Sequence, residues 1–300
     1  MKGLLIFHYA SLETFKNIIE NHCIWLCDIQ KSNDSAERTY FENILLDVID
    51  EYISNPSNIS TISPYAEKAL ETFKSTYHNQ EAYIPPVYSA SFSLDGDLLG
   101  QWRAYANNGT GVSIGFKQHI FEKTFSGENA WSISYDKGLA IKACQYQIIK
   151  SLQIFAEEDK DNEQDFLNDF ALSMLRFMEY KNIFFKLPQF REEKEYRIAY
   201  RHGIRNYENL ATHTMLSTAM LDTIPRYGGF ELSSRKYRIS NNRLSSYYEL
   251  SFSEKLCKNI ISEVILGPKC QTEPQDVQMF LQDSGYGDQI KVHKSKIPYR

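Results

Sequence analysis

The chain has 300 residues, an apolar content of 42% and a formal net charge of −5. A chain of this length and composition can bury a substantial core, and we predict a single domain over residues 1–300. The acidic balance argues against a general nucleic-acid coat, because neutralising phosphates requires clustered Lys and Arg side chains. A net charge of −5 is still compatible with one locally basic groove.

The cysteines and the N-terminus indicate a reduced, cytoplasmic protein. The five cysteines are odd in number and mostly far apart, which does not fit a disulfide framework. Cys23 and Cys27 are close in sequence, but no second Cys/His pair completes a four-ligand zinc site, so we expect no metal. The apolar run at residues 3–7 is too short for a secretory signal, and no segment has the length of a membrane span.

The first thirty residues predict a β-α-β unit. Residues 4–9 form a short apolar strand, residues 12–21 a helix behind a serine cap, and residues 24–28 a second strand. His8 and Tyr9 lie at the end of the first strand, directly before the helix cap. A histidine at this position either contacts a phosphate or ribose, or is a core histidine with a satisfied hydrogen bond.

Two helical stretches interrupt the predicted sheet, at about residues 34–80 and 137–185. Apolar residues recur with helical spacing from Tyr40 to Ile53 in the first and from Phe166 to Met178 in the second. The predicted strands follow one another without regular helical alternation. The expected fold is therefore α+β, with a central mixed or antiparallel sheet and helical insertions.

The segment at residues 87–93 predicts a strand with hydroxyls on one side. Ser89, Ser91 and Ser93 alternate with apolar residues, so the three hydroxyls share one face. A row of hydroxyls is a poor core surface. This face is either the polar floor of a ligand site or the solvent side of a half-exposed strand.

A short helix at about residues 97–106 precedes an Asn-Asn-Gly turn and a strand over residues 111–116. The helix carries Trp102, Arg103 and Tyr105, and these residue types suit stacking on a planar ring and pairing with phosphate. The alternative is a helix packed under a tight hairpin. The glycines that follow match neither a Walker loop nor a dinucleotide fingerprint.

The segment at residues 184–198 has the most distinctive charge pattern of the chain, and it leads into a predicted strand over residues 195–201. In an extended backbone, Glu193, Glu195 and Arg197 project from one face and apolar residues from the other. Two acids and an arginine are costly in a core and suit the wall of a cleft. The alternatives are a solvated sheet edge and an internal ion-pair network that braces the sheet.

Six blocks of sequence together resemble one widespread bacterial family. They are FHYAS (7–11), IWLCDIQKSNDSAE (24–37), SASFS with LLGQWRAYANNGTGVSIGF (89–93 and 98–116), FFKLPQFREEKEYRI (184–198), VILGPK (264–269) and SKIPYR (295–300). As an ordered set they resemble the family catalogued as domain of unknown function 2971, over nearly the full length of the chain. The resemblance brings no settled activity, and it implies a role in defence against phage.

A looser resemblance is to the ADP-ribosyltransferase superfamily, in its order of a first-strand residue, a Ser-x-Ser strand and a Glu-x-Glu strand. It implies an ADP-ribosyltransferase-like fold with NAD as substrate. His8 would help seat the ribose of NAD, and Ser91 and Ser93 would brace the site. Glu195 would bind the ribose 2′-hydroxyl and stabilise an oxocarbenium-like transition state, and Glu193 would activate the acceptor. The combination departs from the arginine-type subgroup, whose first strand carries arginine.

Three functions are open on the sequence alone. The first is an NAD-using ADP-ribosyltransferase or NAD glycohydrolase with Glu195 as its essential residue. The second is a non-catalytic module that binds a nucleotide or nucleic acid in a defence system. Its phosphate ligands would be four arginines, Arg103, Arg197, Arg201 and Arg205. The third is a purely structural role for the charged strand as an ion-pair network.

These hypotheses differ in a geometrical requirement. The transferase hypothesis requires His8, Ser91 and Glu195 to converge in one pocket. If the three side chains lay on separate faces, that hypothesis would fail.

Overall fold

The computed structural model describes residues 4–31, 37–80, 86–125, 129–157, 162–201, 228–240 and 242–299. The strands are β1 (Leu5–Ala10), β2 (Cys23–Asp28), β3 (Val87–Ser93), β4 (Val112–Lys117), β5 (Ala130–Ser132), β6 (Glu195–Arg201), β7 (Phe230–Leu232), β8 (Lys236–Ser240), β9 (Arg243–Phe252), β10 (Ile261–Leu266) and β11 (Lys291–Lys294). The helices are α1 (Leu12–Asn21), α2 (Glu37–Ser54), α3 (Ala66–Gln80), α4 (Leu99–Tyr105), α5 (Gln118–Thr124), α6 (Lys137–Glu157), α7 (Glu163–Lys181), α8 (Glu254–Ile260) and α9 (Pro274–Asp283).

One sheet contains all the strands of the described residues. Its main path runs β11-β10-β4-β1-β3-β2-β9-β7, while β6 pairs with β3 and β5, and β8 pairs with β9. Strands β10 and β11 are parallel, and the other described pairs are antiparallel. The α+β class with a mixed sheet is therefore confirmed.

Helix α1 begins and ends where the sequence predicts. The Ser11 side chain accepts a hydrogen bond from the Thr14 backbone N–H at 3.1 Å, which satisfies one of the free donors of the first turn. Such a cap contributes about 1 kcal/mol to helix stability. His22 ends the helix in the left-handed conformation, with φ of 50°. Helix α1 connects β1 to β2. These two strands do not pair with each other in the described register, but they run in the same direction because each pairs antiparallel with β3.

The main core lies against one face of the sheet. Alternation along β3 places Tyr88 and Phe92 in this core, and alternation along β6 places Tyr196 and Ile198 there as well. The predicted apolar side of β6 is thus confirmed. The opposite faces of the same two strands carry the serines and the charged residues.

Helices α2, α3, α6 and α7 bury a second apolar cluster against one another. Phe41, Phe73 and Phe170 are fully buried in it. These helices occupy the two stretches in which helical insertions were predicted. The 3₁₀ turn at Asn182–Phe184 then leads the chain from α7 back toward the sheet, since it packs on α2 and precedes the segment that enters β6.

Some elements differ from expectation. Helix α5 and strand β7 were not predicted. The stretches 32–36 and 202–227 lie outside the described residues. In the part of the chain that the structure describes, no helix is both long and apolar enough to cross a bilayer.

Candidate active site

A cavity of about 490 Å³ opens where the sheet splits beside β3. One edge of β3 pairs with β6 along its whole length. The other edge is shared: β1 pairs with it at Ser93, and β2 pairs with it at Tyr88 and Ser89. In the described register, residues 90–92 of β3 therefore pair with β6 on one edge and with no strand on the other edge. The divergence of β1 and β2 over this interval creates the cavity, whose volume is typical of small-molecule sites.

The register of β3 and β6 gathers polar side chains on one face. Ser91 lies opposite Arg197 and Ser93 lies opposite Glu195, so their side chains project together. All four residues line the cavity. Ser91 is exposed to it, whereas Ser93 is buried. The polar face predicted for each strand is thus one continuous wall.

Glu195 forms a buried two-pronged ion pair with Arg197. Arg197 donates from Nε to Oε1 at 2.6 Å and from Nη2 to Oε2 at 2.9 Å, and its Nη1 donates to the Ile183 carbonyl at 2.9 Å. Both side chains are almost fully excluded from solvent. A fork-to-carboxylate pair is the strongest arrangement of these groups, and it fixes the carboxylate plane.

Lys186 connects the two acids of the site. Its Nζ donates to Glu193 Oε2 at 2.7 Å and to Glu195 Oε2 at 3.4 Å. The ammonium also lies 4.6 Å from the ring centroid of Phe190. Two basic and two acidic side chains therefore form one compact cluster. Lys186 was not among the residues predicted for the site, since a lysine before Leu-Pro is typical of the end of a helix.

Glu193 reaches the cavity by a different route from the one predicted. It ends the 3₁₀ helix Pro188–Glu193 and is not part of β6, because Lys194 turns the chain with a left-handed φ of 47°. The expected shared strand face of Glu193 and Glu195 is therefore wrong in its backbone geometry. Ser93 Oγ donates to the Glu193 carbonyl at 2.7 Å, which holds this turn against β3.

The charged cluster has perturbed acid–base properties. Burial raises the pKa of Glu195 to about 7, against the opposing effects of Lys186 and a hydrogen bond from Ser91. Burial lowers the pKa of Lys186, but Glu195 and Glu193 more than offset it, so the net shift is upward. Burial and Glu193 raise the pKa of Tyr105 to about 12. A carboxyl that titrates near neutrality in a cleft is typical of a functional site.

His8 fills part of the gap between β1 and β2. Its Nδ1 lies 3.1 Å from the Ser91 carbonyl oxygen, which only accepts, so Nδ1–H is the donor. This bond satisfies a carbonyl that lies in the split interval of β3. Burial lowers the pKa of His8, so the ring is neutral at pH 7 and its Nε2 is a hydrogen-bond acceptor.

Tyr9 and Tyr105 line the cavity with their hydroxyls already engaged. The Tyr9 hydroxyl donates to the Asp95 carbonyl and accepts from the Leu98 N–H, both at 2.9 Å, and so ties β1 to the start of α4. The Tyr105 hydroxyl lies 3.4 Å from Glu193 Oε1. Tyr105 lines the cavity and remains about half exposed.

Trp102 and Arg103 do not line the cavity. Trp102 is fully buried, packs edge-on against Tyr9 at 4.8 Å, and donates from its indole N–H to Asp97 at 2.7 Å. Its ring therefore cannot stack on a ligand there, as the sequence had suggested. Arg103 is exposed on α4, on another side of that helix. The alternative of a helix packed under a hairpin describes Trp102 better.

We expect Trp102→Phe to affect stability and not ligand affinity. The change removes one hydrogen bond to Asp97, which also accepts from Ser295 and the Lys296 N–H. The free energy of unfolding should fall by roughly 1–3 kcal/mol, as for the loss of a buried hydrogen bond. Urea unfolding and calorimetric titration with NAD measure the two quantities. Weaker NAD binding at unchanged stability would contradict this assignment.

The far end of the cavity contains two stacked aromatic rings and an arginine that were not among the predicted site residues. Trp25 stacks on Tyr247 with ring centroids 4.3 Å apart, and Arg238 lies 5.4 Å from the Trp25 ring. Arg238 Nη2 is 3.5 Å from Cys27 Sγ. Trp25, Cys27 and Arg238 all line the cavity. The available signal was a tryptophan on the polar side of β2, between two core residues.

No metal centre is indicated in the described ranges. They contain no group of three or more His, Cys, Asp or Glu side chains that could hold an ion. Cys23 and Cys27, the pair considered for zinc, are separate free thiols.

A family described as "Protein of unknown function (DUF2971)" matches residues 101–198. The match is to this segment only. It begins within α4 and ends within β6, and it includes Lys186, Glu193, Glu195 and Arg197 but neither His8 nor Ser91. The expectation of a resemblance over nearly the full length is corrected to this central segment. No curated protein and no solved structure matches the chain.

Proposed function

We propose that the protein cleaves NAD at the bond between nicotinamide and ribose, as an ADP-ribosyltransferase or an NAD glycohydrolase. The observation that carries the proposal is the common cavity of His8, Ser91 and Glu195. These residues come from three strands that are far apart in the chain. The transferase hypothesis requires these three side chains to lie in one pocket.

Glu195 is the residue that stabilises the reaction centre in this proposal. Loss of nicotinamide leaves positive charge on the ribose, and a fixed carboxylate beside it lowers the energy of that state. A carboxylate offers about four lone-pair positions. Arg197 occupies two of them and Lys186 a third. A ribose hydroxyl would take the remaining position, beside the exposed Ser91 on the same wall.

Glu193 is the acid–base group in this proposal. The bond from ribose C1′ to nicotinamide breaks, and nicotinamide leaves with the electron pair. Water or an acceptor side chain then bonds to C1′ and gives its proton to a base. Glu193 is more exposed than Glu195, with 16% of its side chain accessible, and it is paired with Lys186 through one oxygen. It is thus the carboxylate better placed to meet an incoming acceptor.

A non-catalytic nucleotide-binding module is the second candidate. The observation that favours it is that Arg197 makes two hydrogen bonds to the Glu195 carboxylate. A purely structural ion pair would have the same geometry. A broad nucleic-acid surface is less favoured. Arg201 is buried against Tyr180, with Nη1 donating to Asn129 at 2.8 Å, and Arg205 lies outside the described residues.

Nicotinamide release from NAD distinguishes the two candidates. The purified protein is incubated with NAD, with and without a protein extract as acceptor, and nicotinamide is quantified by chromatography. Free ADP-ribose would identify hydrolysis, and ADP-ribose attached to protein would identify transfer. Binding of NAD without nicotinamide release would contradict the catalytic proposal and support the binding module.

The pH dependence of turnover should report the ionisation of Glu195. The proposed role requires the carboxylate, and its pKa is raised to about 7. Turnover should therefore rise with pH through about 7 and reach a plateau above it, and one pH unit below that pKa it should be roughly tenfold lower.

The variant Ser91→Ala provides an internal check on this assignment. Its hydrogen bond lowers the pKa of Glu195, so removing it should move the acidic limb of the profile to higher pH. Ser60→Ala, at an exposed serine that does not line the cavity, is the matched hydroxyl deletion and should leave the profile unchanged. NAD turnover that is constant between pH 5 and 8 would contradict the role of Glu195. This range extends from roughly two units below the pKa of Glu195 to one unit above it.

A further inference from the structure

We propose that the end of the cavity formed by Trp25, Cys27 and Arg238 is a second subsite, which binds the aromatic base and adjoining phosphate of an adenine nucleotide. The inference rests on the proposed function in one respect: it assigns the adenosine diphosphate half of NAD to this end. The base would stack on Trp25, and the phosphate would pair with Arg238.

Trp25 has the placement of a stacking platform. Its neighbours Ile24 and Leu26 point into the main core, so alternation turns the indole to the other face of β2. Tyr247, on the adjacent strand β9, is buried beneath it in a stacked arrangement. Trp25 itself remains 41% exposed at the cavity. A rigid, supported and partly exposed ring is what base stacking requires.

Arg238 has the unused donors that a phosphate requires. Its one hydrogen bond within the described residues is to Cys27 Sγ, which is a weak acceptor. Its Nε is buried and lacks an acceptor in this part of the chain. Arg197, by contrast, donates from Nε, Nη1 and Nη2 to protein oxygens. Arginine pairs with phosphate through two parallel hydrogen bonds when its fork is available.

The charges around this end are compatible with an anion. Burial raises the pKa of Cys27, so the group beside Arg238 is a neutral thiol at pH 7. Asp28 also lines the cavity, but Lys31 lies 3.7 Å from its carboxylate and offsets its charge. A phosphate near Arg238 therefore meets one cation and no unopposed carboxylate among the described lining residues.

The subsite is tested by calorimetric titration with three probes: ADP, adenosine and inorganic pyrophosphate. Trp25→Ala should weaken ADP and adenosine roughly tenfold or more, and leave pyrophosphate unchanged. Arg238→Gln should weaken ADP and pyrophosphate by roughly tenfold, and leave adenosine unchanged. Trp131→Ala and Arg243→Gln are matched controls, since both residues are exposed and neither lines the cavity.

A spectroscopic signal locates the base directly. ADP should quench tryptophan fluorescence in the unmodified protein and in Trp131→Phe. The quenching should be lost in Trp25→Phe, even though the phenyl ring retains part of the affinity. The inference is overturned if ADP does not bind the unmodified protein, or if the two subsite variants bind it within twofold of the unmodified protein.

These results are separable from the fate of the proposed reaction. If Glu195→Gln retained full NAD turnover while ADP binding depended on Trp25 and Arg238, the proposed chemistry would fail and the subsite would stand. If NAD turnover depended on Glu195 but the affinity for ADP were the same in both subsite variants as in the unmodified protein, the proposed chemistry would stand and the subsite would fail.

Discussion

Replacing Glu195 by glutamine is expected to reduce nicotinamide release from NAD by roughly 100- to 1,000-fold, the effect of removing one preorganised electrostatic group from a reaction centre. Glutamine keeps the size of the side chain and one acceptor oxygen. It removes the negative charge that would face the ribose cation. The loss should therefore appear in kcat, while the affinity for NAD changes little.

The measurement needs a matched acid and a check of folding. Glu192→Gln is the control, because Glu192 is an exposed glutamate three residues away that does not line the cavity. Circular dichroism and calorimetric titration with NAD would establish that Glu195→Gln is folded and binds substrate. Turnover equal to that of the unmodified protein would reject Glu195 as the essential residue.

Replacing Arg197 by methionine is expected to lower the free energy of unfolding by roughly 3–5 kcal/mol, as for other buried ion pairs from which one partner is removed. The variant leaves the Glu195 carboxylate buried with Lys186 as its remaining cationic contact. It also leaves the Ile183 carbonyl without its Arg197 donor. Urea unfolding, followed by circular dichroism, measures the loss.

Two further variants separate the ion pair from general damage. Lys194→Met removes a partner of Asp95 in an exposed pair at 2.9 Å, and it should cost less than about 1 kcal/mol. The double variant Glu195→Leu/Arg197→Met should recover much of the stability lost by Arg197→Met, because no unpaired charge remains buried. An Arg197→Met protein as stable as the unmodified one would show that the pair contributes nothing to the sheet.

The two experiments together decide between catalysis and bracing. The ion pair can serve both purposes, since Arg197 fixes the carboxylate that the reaction would use. A purely structural pair predicts lost stability in both single variants and no NAD turnover in any protein. A catalytic Glu195 predicts NAD turnover that is lost in Glu195→Gln even where the fold is retained.

Local pattern was sufficient to predict the elements that frame the site. Helix α1, strand β3 and strand β6 have the predicted bounds, because a capping serine and strict alternation act over a few residues. Alternation also predicted that Ser91 and Arg197 would each stand on the polar side of their strands. Trp102 shows the limit of this reasoning, since residue type suggested stacking and the fold buries the ring completely.

The sequence by itself determined the α+β class, most of the strands and helices, and the faces on which Ser91, Glu195 and Arg197 stand. The tertiary structure alone decided that β1 and β2 diverge beside β3, that Lys186 joins Glu193 to Glu195, and that Arg238 comes to lie near Trp25. These features depend on pairings between residues far apart in the chain. Hydrophobic periodicity records only which way a side chain points from its own element, and it contains no information about which distant strand will lie alongside.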